Sequence, residues 1–179
     1  MIVNNAYRSI CITGPESSGK TTLAKALVKE LDAILVPEMA RAFLEKQGGS
    51  YVQLDLLKMA ELQRNALKEA IKKASHHAFV IADTDLTVIK IWSEEKFGTV
   101  DPMLEQWYTE ESFDLYLLCS PDMPWQFDPL RENEFDRDRL FNRYVAELER
   151  RRRNYVIIKG NAESRLEYAL KTVDELRTP

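Results

Sequence analysis

The segment Gly14-Pro15-Glu16-Ser17-Ser18-Gly19-Lys20-Thr21 places two glycines, a lysine and a hydroxyl at the spacing G-x-x-x-x-G-K-[ST]. Each residue type has a physical task. The glycines let backbone N–H groups of the loop, including those of Glu16, Ser17 and Ser18, approach an anion closely. Lys20 has the reach to touch the β- and γ-phosphates of a nucleotide, the Thr21 hydroxyl is a ligand for Mg²⁺, and Thr22 adds a contact on the α-phosphate side. The β-branched apolar run from Ser9 to Thr13 precedes the loop, and a helical pattern (Thr21, Leu23, Ala24, Leu27, Val28, Leu31) follows it. An anion there sits at the positive end of a helix dipole. A capped glycine turn would explain the glycines and the hydroxyl but not the strand and lysine with them. The segment implies ATP-type binding with Mg²⁺.

Three further clusters of polar residues follow apolar runs. Glu38 and Arg41 lie one helical turn apart after Ala33 to Val36. Asp83 and Asp85 follow Ala78 to Ala82, and Trp125, Asp128 and Arg131 lie in the loop after Leu115 to Cys119. In doubly wound sheets ligands sit beyond the carboxyl ends of the strands, so all three should edge one cleft with Gly14 to Thr22. Asp83 stands where a carboxylate holds Mg²⁺ directly or through water, with helix capping as the plainer alternative. Asp85 reads either as a substrate or general-base group or as an acid stabilised by a helix dipole, and Glu38 as an acid on the acceptor side. The stretch 121–143 interleaves Arg131, Arg137, Arg139 and Arg143 with Asp128, Asp136 and Asp138. It reads as an arginine-bearing lid, with Arg131 the favoured arginine, or as a solvated charged helix.

Those residues need a scaffold. Strands are expected at Ser9 to Thr13, Ala33 to Val36, Ala78 to Ala82, Leu115 to Cys119 and Tyr155 to Ile158. Helical patterns lie between them: Glu38 to Gln47, a long one from Val52 to Ala74, one ending at Gly98, and a last one from about Glu163 to Leu176. Continuously apolar strands alternating with helices define an α/β fold with a parallel sheet covered on both faces. The expectation is one domain over residues 1–179, a three-layer sandwich with strand order 2-3-1-4-5 and the lid-like segment around 121–143.

Composition narrows the partners. The 179 residues carry 25 basic and 29 acidic side chains, net −4, which gives no electrostatic reason to expect nucleic acid. The run Arg150 to Arg153 reads as a helix end. Cys11 and Cys119 lie inside apolar strands, no secretory signal opens the chain and no run reaches the length of a membrane span, so a cytoplasmic protein without membrane partners is expected. His76-His77 has no companion ligands in sequence, and a metal role is disfavoured. Trp92 and Trp107 fall in helical patterns and read as packing, whereas Trp125 lies in a polar loop where its face is free to stack. The sequence leaves room for a homo-oligomer without specifying one.

Taken in order, ITGPESSGKTTLA, VPEMAR, a long helix, IADTDL, FDLYLL and PWQFDPLR resemble the ribosylnicotinamide kinase domain of the bacterial NadR family over nearly the whole chain. The resemblance implies a P-loop NTPase fold and transfer of the γ-phosphoryl of ATP to the 5′-hydroxyl of nicotinamide riboside, a step of NAD salvage. It implies that Gly14 to Thr22 hold ATP, that Thr21 and Asp83 serve Mg²⁺, and that Glu38, Arg41, Asp85, Trp125, Asp128 and Arg131 face the nucleoside or the lid. Lys20, Asp83, Glu38 and Arg131 would carry catalysis. Full-length family members place an adenylyltransferase and a DNA-binding domain before the kinase, whereas this chain starts almost at the first strand, so neither function is carried over. Two alternatives stay open: a kinase for another nucleoside or small molecule, and a regulator that senses ATP and ADP without transfer.

Overall fold

A computed structural model describes residues 7–74, 77–131 and 134–176. In chain order the elements are β1 (Arg8–Thr13), α1 (Lys20–Glu30), β2 (Ala33–Val36), α2 (Met39–Gln47), α3 (Gln53–Lys73), β3 (Phe79–Asp83), α4 (Leu86–Phe97), α5 (Pro102–Glu110), β4 (Leu115–Cys119), α6 (Arg137–Arg150), β5 (Tyr155–Ile158) and α7 (Ala162–Glu175). The five strands pair in parallel in the order β2-β3-β1-β4-β5, as the sequence led one to expect. Ile10 of β1 stands opposite Ile81 of β3 on one side and Leu115 of β4 on the other.

Burial on both faces follows from the strand composition. Every residue of β3 and β4 is buried, and alternate side chains of β1 serve opposite layers. Ile10 and Ile12 pack with Leu23, Ala24 and Leu27 of α1 and with Ala169 and Val173 of α7. Cys11 instead joins Ala70 of α3, Ile91 of α4 and Leu140, Tyr144 and Leu148 of α6. A third cluster gathers Ala40 and Leu44 of α2, Leu56, Met59 and Ala60 of α3, Leu86 and Ile89 of α4, and Leu104 and Tyr108 of α5. That cluster fixes α2 and α4 beside the carboxyl edge of the sheet. Both cysteines are buried and free.

Two elements are clearer here than in the sequence. Helix α5, seen there only through Trp107, begins with an Asp101 cap accepting from the Met103 N–H at 2.8 Å and with Pro102 at its first position. The arginine run does close α6, but its donors serve the neighbouring helix end: Arg151 bonds the Thr109 carbonyl at 2.7 Å, and Arg153 bonds the Tyr108 and Glu111 carbonyls. These are the orphan carbonyls of α5, which explains why the basic cluster is held against protein. His77 Nδ1 lies 2.7 Å from Asp32, while His76 is outside the described residues. Among the described residues no helix is long and apolar enough to cross a membrane.

Candidate functional site

Residues 14–19 connect β1 to α1 at the carboxyl edge of the sheet. The turn demands left-handed backbone at Ser17 (φ 52°) and Gly19 (φ 80°), and Gly14 adopts φ 134°. A methyl group on Gly14 would lie 2.6 Å from the backbone oxygen of Cys119 in the central strand β4, which cannot retreat. We therefore expect Gly14→Ala to lower stability by about 2 kcal/mol or more, read as a lower denaturant midpoint. The Ser18 hydroxyl donates to the Pro15 carbonyl at 2.7 Å, and Lys20 Nζ donates to the same oxygen at 2.8 Å. The lysine is thereby held over the loop it is expected to serve.

The loop forms one wall of a cavity of about 630 Å³. Residues 15–22 line it, as do Glu38 and Arg41 from the start of α2, Val88, Ile91, Trp92 and Glu95 from α4, Gln126 and Arg131 from the β4–α6 segment, Tyr144 from α6 and Arg165 from α7. Glu38 stands at the N-cap of α2, where burial raises its carboxyl above the usual range and the Lys20 ammonium draws it partly back. The cleft thus pairs a cationic phosphate cradle with an acid across from it.

Asp83 ends β3 and is 3% exposed. Its Oδ1 is buried without a hydrogen-bond partner among the described residues. Burial raises the carboxyl, and the Thr21 hydroxyl and Lys20 pull against that rise. A bare carboxylate oxygen close to a threonine hydroxyl is a hard-oxygen donor set that fits Mg²⁺, with nucleotide phosphates and water completing the shell. Asp85 is 2% exposed, and neither it nor Asp83 is in the cavity lining. Its oxygens accept from the Thr13 hydroxyl at 3.1 Å and the Thr87 hydroxyl at 2.5 Å. Burial raises Asp85, and the nearby Glu111, which accepts from the Leu86 N–H at 3.0 Å, is pushed up to about 8 by burial and by Asp85.

The segment after β4 lies over the phosphate loop. The Gln126 N–H donates to the Ser17 hydroxyl at 3.2 Å. Arg131 spans from the Gln126 carbonyl (2.6 Å) to the same hydroxyl (3.4 Å), and Arg137 bonds the Ser17 carbonyl at 3.2 Å. Asp128 is not in the cavity wall but ties the segment to α2 through Arg41 Nη2 at 2.6 Å. Trp125 is half-buried with Arg131 and Arg137 each 5.8 Å from its ring, so its face is taken by arginines. Arg139 and Arg143 dock instead on Glu95 of α4. Because the Arg41–Asp128 pair is partly exposed, its loss costs little stability. We expect Asp128→Ala to leave the unfolding temperature nearly unchanged yet speed proteolytic cleavage within residues 121–136 about threefold or more, through loss of the tether.

Sequence reasoning missed Trp92, Glu95, Tyr144 and Arg165 as cleft residues. For α4 a signal was present: Val88, Ile91, Trp92 and Glu95 recur at three- and four-residue intervals, which puts them on one helix face beginning just after Asp85. Trp92 faces the cleft where Trp125 had been expected to offer its ring, and its indole N–H donates to the Tyr51 hydroxyl at 2.7 Å. Arg165 belongs to no motif.

A five-stranded parallel sheet in this order, with G-x-x-x-x-G-K-[ST] between its central first strand and first helix, defines a P-loop α/β protein of the nucleoside-kinase-like type. Residues 9–165 match the family model described as AAA domain, and the chain belongs to that family. Its fold is similar to that of NadR protein in complex with NAD and AMP-PNP, with a TM-score of 0.81 and 22% identity over 95% of this chain and 49% of that one. NadR protein in complex with NR gives 0.79 at 22% identity, over 95% of this chain and 50% of that one. The chain therefore spans about half the length of those NadR proteins. Deoxyadenosine kinase from M. mycoides, with dCMP and dCDP bound, gives 0.65 at 16% identity over 93% of this chain and 99% of that one. No curated protein sequence matches the chain.

Proposed function

We propose that the protein is a cytoplasmic ATP-dependent phosphotransferase that converts nicotinamide riboside to nicotinamide mononucleotide, with ADP as the other product. The observation that carries this reading is the single cleft that joins the phosphate loop to Glu38, Arg41 and Trp92. The likeness in fold to NadR protein in complex with NR supports the choice of acceptor.

In this reading residues 14–22 bind the triphosphate, and Thr21 and Asp83 would hold Mg²⁺, which screens the phosphate charge when bound. Lys20 and Arg131 face the transferring group from the loop and the covering segment. Charge stabilisation and positioning dominate such a transfer, so these cations account for most of the rate. Glu38 orients the acceptor hydroxyl and takes its proton as the O–P bond forms. Its raised carboxyl, pushed up by burial, makes it a better base than an exposed glutamate. A flat cationic ring suits the acceptor side, where Trp92 supplies an aromatic face and Glu38 a negative charge. Arg41 and Asp128 hold the acceptor side closed. Asp85 contributes from below through Thr13, the residue before the loop.

The deoxyadenosine kinase likeness, which covers 99% of that chain, favours a second reading in which the acceptor is an ordinary nucleoside. Incubation of a riboside and deoxyriboside panel with ATP and Mg²⁺, followed by ADP release, separates the two. Nicotinamide riboside is expected to give the highest kcat/KM. ADP released with another nucleoside but not with nicotinamide riboside would overturn the acceptor assignment, and tight ATP binding without product from any acceptor would point to a nucleotide sensor.

A further inference from the structure

Arg165, on the first turns of α7, is 2% exposed although it sits far from any motif. Its guanidinium makes four hydrogen bonds: Nε to the Gly160 carbonyl (2.7 Å), Nη1 to the Ser18 carbonyl (2.7 Å), and Nη2 to the Ser120 carbonyl (2.8 Å) and the Asp122 carboxylate. Asp122 is itself fixed, since its other oxygen accepts from the Gly160 N–H at 2.7 Å. A guanidinium has five N–H groups, so four of them are spent on protein and little donor capacity is left for a ligand. The arrangement collects three loop segments, those after β1, β4 and β5, on one planar fork.

The Ser18 bond has a consequence for the phosphate loop. A trans peptide is planar, with its C=O and N–H pointing in opposite directions. Holding the Ser18 oxygen on α7 therefore turns the N–H of the same peptide unit, that of Gly19, away from α7. Gly19 has φ 80°, a conformation in which successive N–H groups converge into an anion-binding concavity. The preceding peptide is held in the same manner, because Arg137 bonds the Ser17 oxygen at 3.2 Å. Arg137 opens α6 at the end of the covering segment, whereas Arg165 is buried on α7 and is in place before any ligand arrives.

We infer that Arg165 is a positioning residue for nucleotide binding, which fixes the Ser18–Gly19 peptide so that the Gly19 N–H faces the site of the terminal phosphates of a nucleoside di- or triphosphate. It acts through the loop, without touching the nucleotide's phosphates itself. Lysine at this position keeps the charge but cannot bridge Ser18, Ser120, Asp122 and Gly160 together. The inference rests on the nucleotide-binding reading of the cleft.

The test is calorimetric titration of the full chain with ADP and with AMP, whose affinities differ by the phosphate that the loop is built to hold. For Arg165→Lys we expect ADP affinity to fall about tenfold or more and AMP affinity to change little, so the ADP-to-AMP ratio collapses. A general packing defect would weaken both nucleotides alike, and that result, or an unchanged ADP affinity, overturns the inference. Asp122→Asn, which keeps the guanidinium but removes its ionic anchor, gives an independent reading should the lysine variant not fold. The ratio falls there too, and an unchanged ratio counts against the role. Failure of the unaltered protein to bind ADP would instead remove the nucleotide reading and this inference with it.

Discussion

Lys20→Met is expected to lower turnover about a hundredfold to a thousandfold while leaving the unfolding temperature nearly unchanged. The folded protein does not need this ammonium for packing, because among the described residues its hydrogen bond runs to the Pro15 carbonyl of the loop beside it. Its work lies in the charge it brings to the cleft. Lys20 is also the largest electrostatic influence holding down the Glu38 carboxyl, and it lowers that of Asp83. Removing it should therefore raise both acids further. In the proposed role of base Glu38 must be ionised to accept a proton, so the acid limb of the pH–rate profile should move to higher pH in the variant, beyond the loss of rate at the plateau. Arginine is a poor substitute, since its wide planar fork does not fit the space of a compact ammonium over a tight loop. Unchanged turnover with the acceptor saturating would remove Lys20 from the phosphate role.

Much of this site was legible in the sequence because its parts follow rules that act locally. The phosphate loop announces itself through glycines that the backbone requires, at Gly14 because of Cys119 and at Gly19 because of its left-handed turn. The continuously apolar strands likewise announced the parallel sheet, and with it the edge at which Glu38 and Asp83 emerge. What stayed hidden depends on long-range packing. Whether Trp125 or Trp92 faces the cleft is decided by the third hydrophobic cluster, which seats α4 beside α2, and by Arg131 and Arg137, which cover Trp125. Asp85 has the same sequence context as Asp83, yet two residues along the chain take it from the end of a strand to the start of a helix. There Thr13, a residue 72 positions away, supplies a hydroxyl. Arg165 is farther still from any signal, since its partners come from three separate loops and each is a backbone carbonyl or an ordinary acid.

Asp83→Asn is expected to cost on the order of a hundredfold in rate, raise the Mg²⁺ concentration needed for half-maximal activity, and leave the ligand-free protein at least as stable as before at neutral pH. The first two effects follow from removing the buried carboxylate whose Oδ1 has no partner among the described residues. The third follows from the sign of its titration. Burial raises the Asp83 carboxyl above its unfolded value, so the folded state binds its proton more readily. Its contribution to stability is complete below the unfolded pKa and is lost as the pH rises through the folded one. Above that window the ionised form opposes folding, and a neutral amide of the same shape does not. The difference in unfolding temperature between the variant and the unaltered protein should therefore shift in favour of Asn as the pH rises from the acid side of the carboxylate range. Adding Mg²⁺ and ADP should reverse the order, since a divalent cation compensates a carboxylate and not an amide. A variant that loses stability and activity together, with an unchanged Mg²⁺ requirement, would assign Asp83 to helix capping and structure. A variant that trades rate for stability would show that the cost of this buried charge is borne for the metal.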